Sequence, residues 1–430
     1  MSHHDVLVVG AGVAGLTAAV RLAQSGARVR VLAKGVGATH LGGGTIDVLG
    51  YAPERVDRPG EALAAFAAAH PAHPYARVGA QRVEAALEWF KAVVAGSPLA
   101  PYAYTGSLDE NHLLPTAIGV PKPSALVPIT MAGGDLRTVT EVLAVGFRGL
   151  KDYHPALLAD GLRRTMPSVT ARAIELHLPV EGRAEFNALA LARAFDQRDF
   201  RRTVIEELTS QVHFGEVVAF PAALGIAAPH EVWSDLEQGL GRPVFEVPTL
   251  PPSVPGMRVF AILHGALRRA GGRSVVNNVV IGAEHERGRV SALRVRVGLR
   301  EERHSADWVV LATGGFASGG IELASDWTAR ETALGLPVAG VPQPGSPRFD
   351  PRYFAAHPMA RAGVAVDGRL RPVGSSGEPV FENVLVAGAT LAGAQPWKEK
   401  SGDGLSLSTG HMAAELVLAE RTTTTTEAIA

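Results

Sequence analysis

The residues of this chain whose type and spacing can do chemistry are glycines. The apolar run Val6-Leu7-Val8-Val9 leads into Gly10-Ala11-Gly12-Val13-Ala14-Gly15, and an Ala- and Leu-rich, helix-like segment follows from Leu16 to Ser25. A strand that turns on Gly10, brings backbone close to a ligand at Gly12 and seats a helix at Gly15 aims free N–H groups and the positive end of a helix dipole at one point. The chemistry on offer is the holding of a phosphate. With 48 glycines in 430 residues the spacing alone carries little, so the reading rests on the strand before the turn and the helix after it.

The second strand, Arg28 to Leu32, ends in Ala33-Lys34. The common form of this turn places an acid there to accept hydrogen bonds from an adenosine ribose; a lysine instead welcomes a phosphate, or is a solvated surface cation. Gly42-Gly43-Gly44-Thr45 comes next. Consecutive glycines cost backbone entropy, so they imply close approach of a flat or anionic group, with a flexible turn as the alternative; we expect a ligand loop. Two later apolar runs also end in glycine: Trp308 to Ala312 before Thr313-Gly314, and Val384 to Ala387 before Gly388. Gly404 and Leu405 then open a helix that runs to about Ala419. The candidate cofactor-binding set is Gly10, Ala11, Gly12, Val13, Ala14, Gly15, Lys34, Gly42, Gly43, Gly44, Thr45, Thr313, Gly314, Gly388, Gly404 and Leu405.

Acid–base candidates are sparse. Arg258 follows the proline-rich segment Val247 to Gly256 at a helix start, where it can meet a phosphate or form a surface ion pair. It is the one weak catalytic candidate, and no base is assigned. His70 and His73 each precede a proline, which disfavours a helical metal pair, so turn packing is expected and no metal site is predicted. His112 and His357 are expected to be structural or solvated.

The elements that must position these residues form an α/β pattern. With a formal charge of −1, nothing argues for a general nucleic-acid surface or a polybasic membrane anchor. No apolar run reaches the ~20 residues that span a bilayer, and the start lacks a signal-peptide pattern, so a cytoplasmic location is expected. The chain has no cysteine, which excludes disulfides, thiolate catalysis and cysteine-ligated iron–sulfur clusters within it. Strands are expected at Glu141 to Phe147, Val217 to Ala222, Ser274 to Ile281 and Val290 to Val297, with helices at Pro155 to Arg164 and Met257 to Ala270. The expected organisation is a nucleotide-binding domain over 1–100 and 255–420, an inserted second α/β domain over 101–254, and a disordered tail over 421–430.

The N-terminal turn, the Gly42–Gly44 loop, Ala312-Thr313-Gly314 and Gly388 with the Gly404 helix, in this order, resemble flavoproteins with a Rossmann-like FAD/NAD(P)-binding fold of the glutathione-reductase-like type. Closer still, Ala72-His73-Pro74-Tyr75, Gly79-Ala80-Gln81-Arg82-Val83, Pro248-Thr249-Leu250-Pro251-Pro252-Ser253-Val254 and Ser318-Gly319-Gly320 resemble the B subunits of bacterial anaerobic glycerol-3-phosphate dehydrogenases, across about residues 5 to 418. The resemblance implies an FMN-containing chain that joins a FAD-bearing catalytic A subunit and an iron–sulfur, membrane-associated C subunit. Together these would oxidise sn-glycerol 3-phosphate to dihydroxyacetone phosphate and reduce quinone, with this chain peripheral to the inner membrane through its partners. Ala33-Lys34 and Ala389 stand where FAD proteins of this fold carry acids, which favours FMN; Asn277 to Ile281 as a strand edge for adenine keeps FAD as the alternative. A redox-inert nucleotide-binding scaffold of the same complex and a stand-alone flavin-dependent oxidoreductase are the competing readings.

Overall fold

The computed structural model describes residues 3–180, 182–352 and 355–429. The chain divides into two units, one of Met1–Ala38, Gly60–Trp89 and Leu263–Ala430, the other of Thr39–Pro59 and Phe90–Ile262.

In the first unit, Val6–Val9 and Val309–Leu311 are short apolar runs without polar alternation, and Val29–Leu32 is broken only by Arg30. Such runs suit parallel strands covered on both faces. The strand His3–Val9 lies between Val29–Leu32 and the end of Arg300–Leu311 and is parallel to both; Val384–Val386 pairs with the same long strand, also in parallel. The outer half of Arg300–Leu311 instead pairs antiparallel with Arg289–Val297, and that strand with Asn278–Glu286. Val290, Ala292, Leu293 and Val295 are buried there while Arg294 and Arg296 are exposed. The helix Val13–Gln24 packs on the helix Gly402–Ile429, where a Cβ on Gly410 would lie 2.3 Å from the Ala14 carbonyl oxygen. This is a Rossmann-like α/β unit with an antiparallel extension.

Two expectations change here. The strand expected over Ser274 to Ile281 is two strands, Arg273–Val275 and Asn278–Glu286, because Asn277 takes a left-handed φ of 61° and turns the chain. The tail expected to be disordered over 421–430 continues the last helix to Ile429. Within that continuation Thr422 donates its hydroxyl to the Leu418 carbonyl.

The second unit is built on a parallel four-stranded sheet in the order Val244–Val247, Val217–Pro221, Glu141–Phe147, Thr170–Leu176. Phe147, Phe195 and Phe220 stack edge-on and tilted in its core. Two short antiparallel strand pairs accompany it: Tyr104–Gly106 with Leu126–Pro128, and the hairpin His112–Pro115 with Pro121–Ser124. The segment Thr39–Pro59 belongs to this unit for a local reason. Ile46 exchanges backbone hydrogen bonds with Leu126 at 2.9 and 3.1 Å, and the Asn111 amide donates to the carbonyls of Leu49 and Val56.

Candidate functional site

The turn at Gly10 is fixed by its neighbours. Its N–H donates to the Leu32 carbonyl at 2.9 Å, its φ is 113°, and a Cβ there would sit 2.2 Å from the Ala312 oxygen, so only glycine lets the two strand ends meet. Gly12 is different: a Cβ built on it meets nothing within 4 Å. It opens the helix Val13–Gln24, which has no side-chain cap and no acid in its first turn. A helix start left in that state offers N–H donors and positive potential to an external anion.

Other candidate residues gather around this turn. Gly388 lies where a Cβ would be 2.8 Å from that of Ala14 and 3.7 Å from the Ser406 hydroxyl, and its N–H donates to Thr409 Oγ1 at 2.9 Å. Gly314 N–H donates to Thr390 Oγ1 at 2.9 Å, and the Thr390 hydroxyl donates back to the Gly314 carbonyl at 3.3 Å. Thr313 donates to Glu331, a fully buried carboxyl that also accepts from the Ala333 and Leu334 N–H groups; burial pushes its pKa up. Gly404 and Leu405 form the first turn of the last helix, opened by the Leu405 N–H to Ser401 carbonyl bond of 2.8 Å. Three strand ends and two helix starts therefore come together within one unit. Lys34 is exposed at the end of the second strand, its Nζ 4.0 Å from where a Cβ on Gly319 would be. Ala33 is tied by its own backbone, accepting from Asn278 N–H and donating to the Val275 carbonyl.

The histidine in Ala72-His73-Pro74-Tyr75 is a brace for this region. His73 is buried, its Nε2 3.2 Å from Glu399 Oε2, while Glu399 also accepts from Gln395 N–H and the Ser401 hydroxyl. Burial pushes the Glu399 carboxyl up, but His73, the Gln395 N–H and the Ser401 hydroxyl together outweigh it and leave the pKa lowered. The pair anchors the segment that enters the Gly402 helix. His357 is likewise structural, accepting the Asp350 N–H at its Nδ1.

Gly42, Gly43, Gly44 and Thr45 lie in the second unit, and there the glycines are taken up by protein. Gly44 has a φ of 83°, and a Cβ on it would fall 2.3 Å from that of Pro255; one on Gly43 would touch Pro248 at 3.4 Å. The Tyr104 hydroxyl donates to the Gly44 carbonyl, and Ser253 N–H donates to the His40 carbonyl at 2.8 Å. The proline-rich segment and the glycine loop are thus two halves of one packed joint. Thr45 is buried and donates to Asp47, which also accepts from Ser124 and Lys122. Sequence reasoning passed over Asp47, Lys122 and Ser124, whose separations of 75 and 77 residues leave no local signal. It also passed over His40, whose Nε2 is buried without a partner among the described residues and whose pKa burial lowers.

Arg258, expected to meet a phosphate or serve as a surface pair, does neither. Its guanidinium is fully buried in the second unit, donating to both oxygens of Glu246 at 2.7 and 2.9 Å and to the carbonyls of Leu224 and Gly225. Every nitrogen is engaged within the protein, which makes it a core ion pair and removes it as a ligand contact.

A family model described as an FAD binding domain matches residues 5–405. A protein of Pectobacterium carotovorum subsp. carotovorum, named as the B subunit of anaerobic glycerol-3-phosphate dehydrogenase, is 33% identical over 97% of this chain and 99% of its own length. Its namesake from Vibrio cholerae is 30% identical over 97% of both chains. The site fits the cofactor such a family model implies. The uncapped helix start at Gly12, open on the side where a Cβ would project, suits the phosphate of a flavin nucleotide, and Thr313, Gly314 and Gly388 offer backbone at its rim. Among the described residues no helix is long and apolar enough to cross a membrane.

Proposed function

We propose, for a chain that belongs to the family of anaerobic glycerol-3-phosphate dehydrogenase B subunits and binds a flavin, that it is a redox-active component of a quinone-linked complex oxidising sn-glycerol 3-phosphate to dihydroxyacetone phosphate. The observation that carries this reading is the open, uncapped helix start at Gly12, gathered with Gly314 and Gly388. The backbone N–H groups of Val13, Ala14 and Gly15 hold the flavin phosphate, with Gly10, Ala11 and Gly12 shaping the turn beneath it. Thr313, Gly314 and Gly388 line the cofactor, and the helix start at Gly404 and Leu405 favours negative charge on it. When bound, the flavin supplies the hydride acceptor; the chain supplies placement and electrostatics.

FMN is the flavin this reading favours. The positions where a longer dinucleotide would find acids carry Ala33-Lys34 and Ala389, and Lys34 suits a phosphate better than a ribose diol. The FAD binding domain match favours FAD as the second reading. The Gly42–Thr45 loop, where Pro248 and Pro255 occupy the space the glycines clear, is left out of the proposed cofactor contacts. Electrons leave through partner chains: the FAD-bearing catalytic A subunit, and the C subunit, whose iron–sulfur clusters and membrane contact this cysteine-free chain does not duplicate. Its place is then the cytoplasmic face of the inner membrane, held by those partners.

Heat release of the ligand from purified protein, followed by mass spectrometry, tests the reading. FMN is expected at about one per chain. FAD would replace the cofactor assignment, and a colourless chain that still restores assembly of the complex would overturn the redox role in favour of a scaffold.

A further inference from the structure

The second unit contains a polar network that the reading above does not use. In the hairpin His112–Pro115 with Pro121–Ser124, His112 pairs with Ser124 and Leu114 with Lys122. Directly opposed residues and those two apart project from one face, so His112, Ser124 and Lys122 share it. Two acids stand behind them. Asp47 accepts from Ser124 at 2.7 Å and from Lys122 Nζ at 2.9 Å, and Lys122 also donates to Thr45 Oγ1 at 2.7 Å. Asp135 Oδ2 lies 3.0 Å from His112 Nδ1 and accepts the Arg137 fork, while its Oδ1 takes the N–H groups of Leu113 and Arg137.

The chemistry follows from those partners. Burial pushes the Asp135 carboxyl up, but the bonds from His112 and Arg137 outweigh it and hold the pKa well below the usual carboxylate range. An ionised acceptor at Nδ1 keeps a ring proton there, so that in the neutral imidazole the lone pair is on Nε2. That nitrogen has no partner among the described residues, and the side chain is 18% exposed. Its room comes from Gly106, where a Cβ would lie 3.2 Å from Nε2. Lys122 is 19% exposed, and its Nζ lies 2.7 Å from Thr45 Oγ1 and 2.9 and 3.2 Å from the two oxygens of Asp47. Among neighbouring charges, Lys91 donates to the Gly106 carbonyl and Glu110 pairs with Arg137. One face thus presents a fixed acceptor and a fixed cationic donor, each oriented by its own buried carboxylate.

We propose that the His112 and Lys122 face of this hairpin is a binding subsite for a small hydroxylated oxyanion of the glycerol phosphate class, a ligand hydroxyl donating to His112 Nε2 and an oxyanion oxygen accepting from Lys122 Nζ. The ligand class rests on the glycerol 3-phosphate reading given above; the geometry of the face does not. Asp135 and Asp47 are positioning residues for the two contacts.

Calorimetric titration of the purified, flavin-loaded chain with sn-glycerol 3-phosphate, glycerol and inorganic phosphate separates the two contacts. His112→Phe should weaken glycerol 3-phosphate and glycerol at least tenfold and leave phosphate within twofold. Lys122→Met should weaken glycerol 3-phosphate and phosphate at least tenfold and leave glycerol within twofold, with Lys122→Arg recovering most of the loss. Should Lys122→Met leave Asp47 unpaired and the chain unfolded, ring nitrogen NMR of unsubstituted protein decides: the proton sits on His112 Nδ1, and glycerol shifts Nε2. Substitutions that move all three ligands alike, or none, overturn the subsite. A flavin-bearing chain that supports glycerol 3-phosphate oxidation in the complex yet binds none of the three also overturns it and leaves the flavin reading standing. A colourless chain that shows the crossed pattern does the reverse.

Discussion

Gly12 and Gly44 sit in two glycine-rich turns only thirty-odd residues apart, and they do opposite things. At Gly12 a side chain would meet nothing within 4 Å, and the helix behind it is uncapped; at Gly44 a side chain would strike Pro255 at 2.3 Å. The first turn clears space that the protein does not fill. The second clears space that the protein's own prolines do fill. A glycine cluster therefore signals close approach, and only the partner decides whether that approach is a ligand's or the chain's. In the first unit the space beside Gly12 is open and the helix start uncapped; in the second the partners are Pro248 and Pro255.

The largest expected effect lies on the self-filled side. Arg258→Met leaves Glu246 buried with only the Thr130 hydroxyl and the Leu224 N–H, and should cost about 3–5 kcal/mol, read as a lowered denaturation midpoint. Flavin content per folded chain should not change. A stable variant that loses flavin would return Arg258 to the ligand side of the comparison.

Gly44→Ala comes next. A left-handed φ and a clash with Pro255 together should cost about 2–4 kcal/mol. Pro255→Gly in the same chain should restore part of that by removing the struck atom, a coupling that a double-mutant cycle in urea measures. Additive losses would show that Gly44 and Pro255 do not form the joint described.

The smallest effect concerns pH. Burial pushes the Asp5 carboxyl up, but the Arg28 side chain and N–H, together with Arg421, outweigh it and hold the pKa at about 2. A depressed carboxyl contributes stability that is present above the unfolded-state value near 4 and is lost as pH falls toward 2, because the unfolded chain binds the proton first. Asp5→Asn should flatten the pH dependence of the melting temperature between 4 and 2 while leaving the behaviour of both turns at neutral pH unaltered. An unchanged acid slope would show that the Arg28 pairing contributes nothing to folding.

Much of the fold was legible because its signals are local. The run Glu141–Phe147 is a strand with the bounds its apolar residues indicate, and the turn at Gly10 lies between the strand and helix that its flanks demand. What depends on distant partners was not legible. Nothing near Thr39–Pro59 announces that Ile46 pairs with Leu126, and so the placement of that segment in the second unit could be learned only from the fold. The same holds for the site: Gly10, Gly12 and Gly15 announce themselves by spacing, whereas Asp47 with Lys122, His112 with Asp135 and Arg258 with Glu246 are pairs made by topology. An isolated histidine or arginine in a sequence has no orientation. Only the carboxylate that folding brings beside it gives it one.

The central claim, that the Gly12 helix start receives a flavin phosphate, is tested most directly by the flavin content of Gly12→Asp. The backbone at Gly12, with φ −76° and ψ −178°, is an ordinary capping conformation, so the new carboxylate should cap the helix and alter apoprotein stability by only a few tenths of a kcal/mol. It also occupies the phosphate's place with a like charge. Released flavin should fall at least tenfold below that of the unsubstituted chain while the apoprotein melts as before; equal flavin content in the two proteins would contradict the claim.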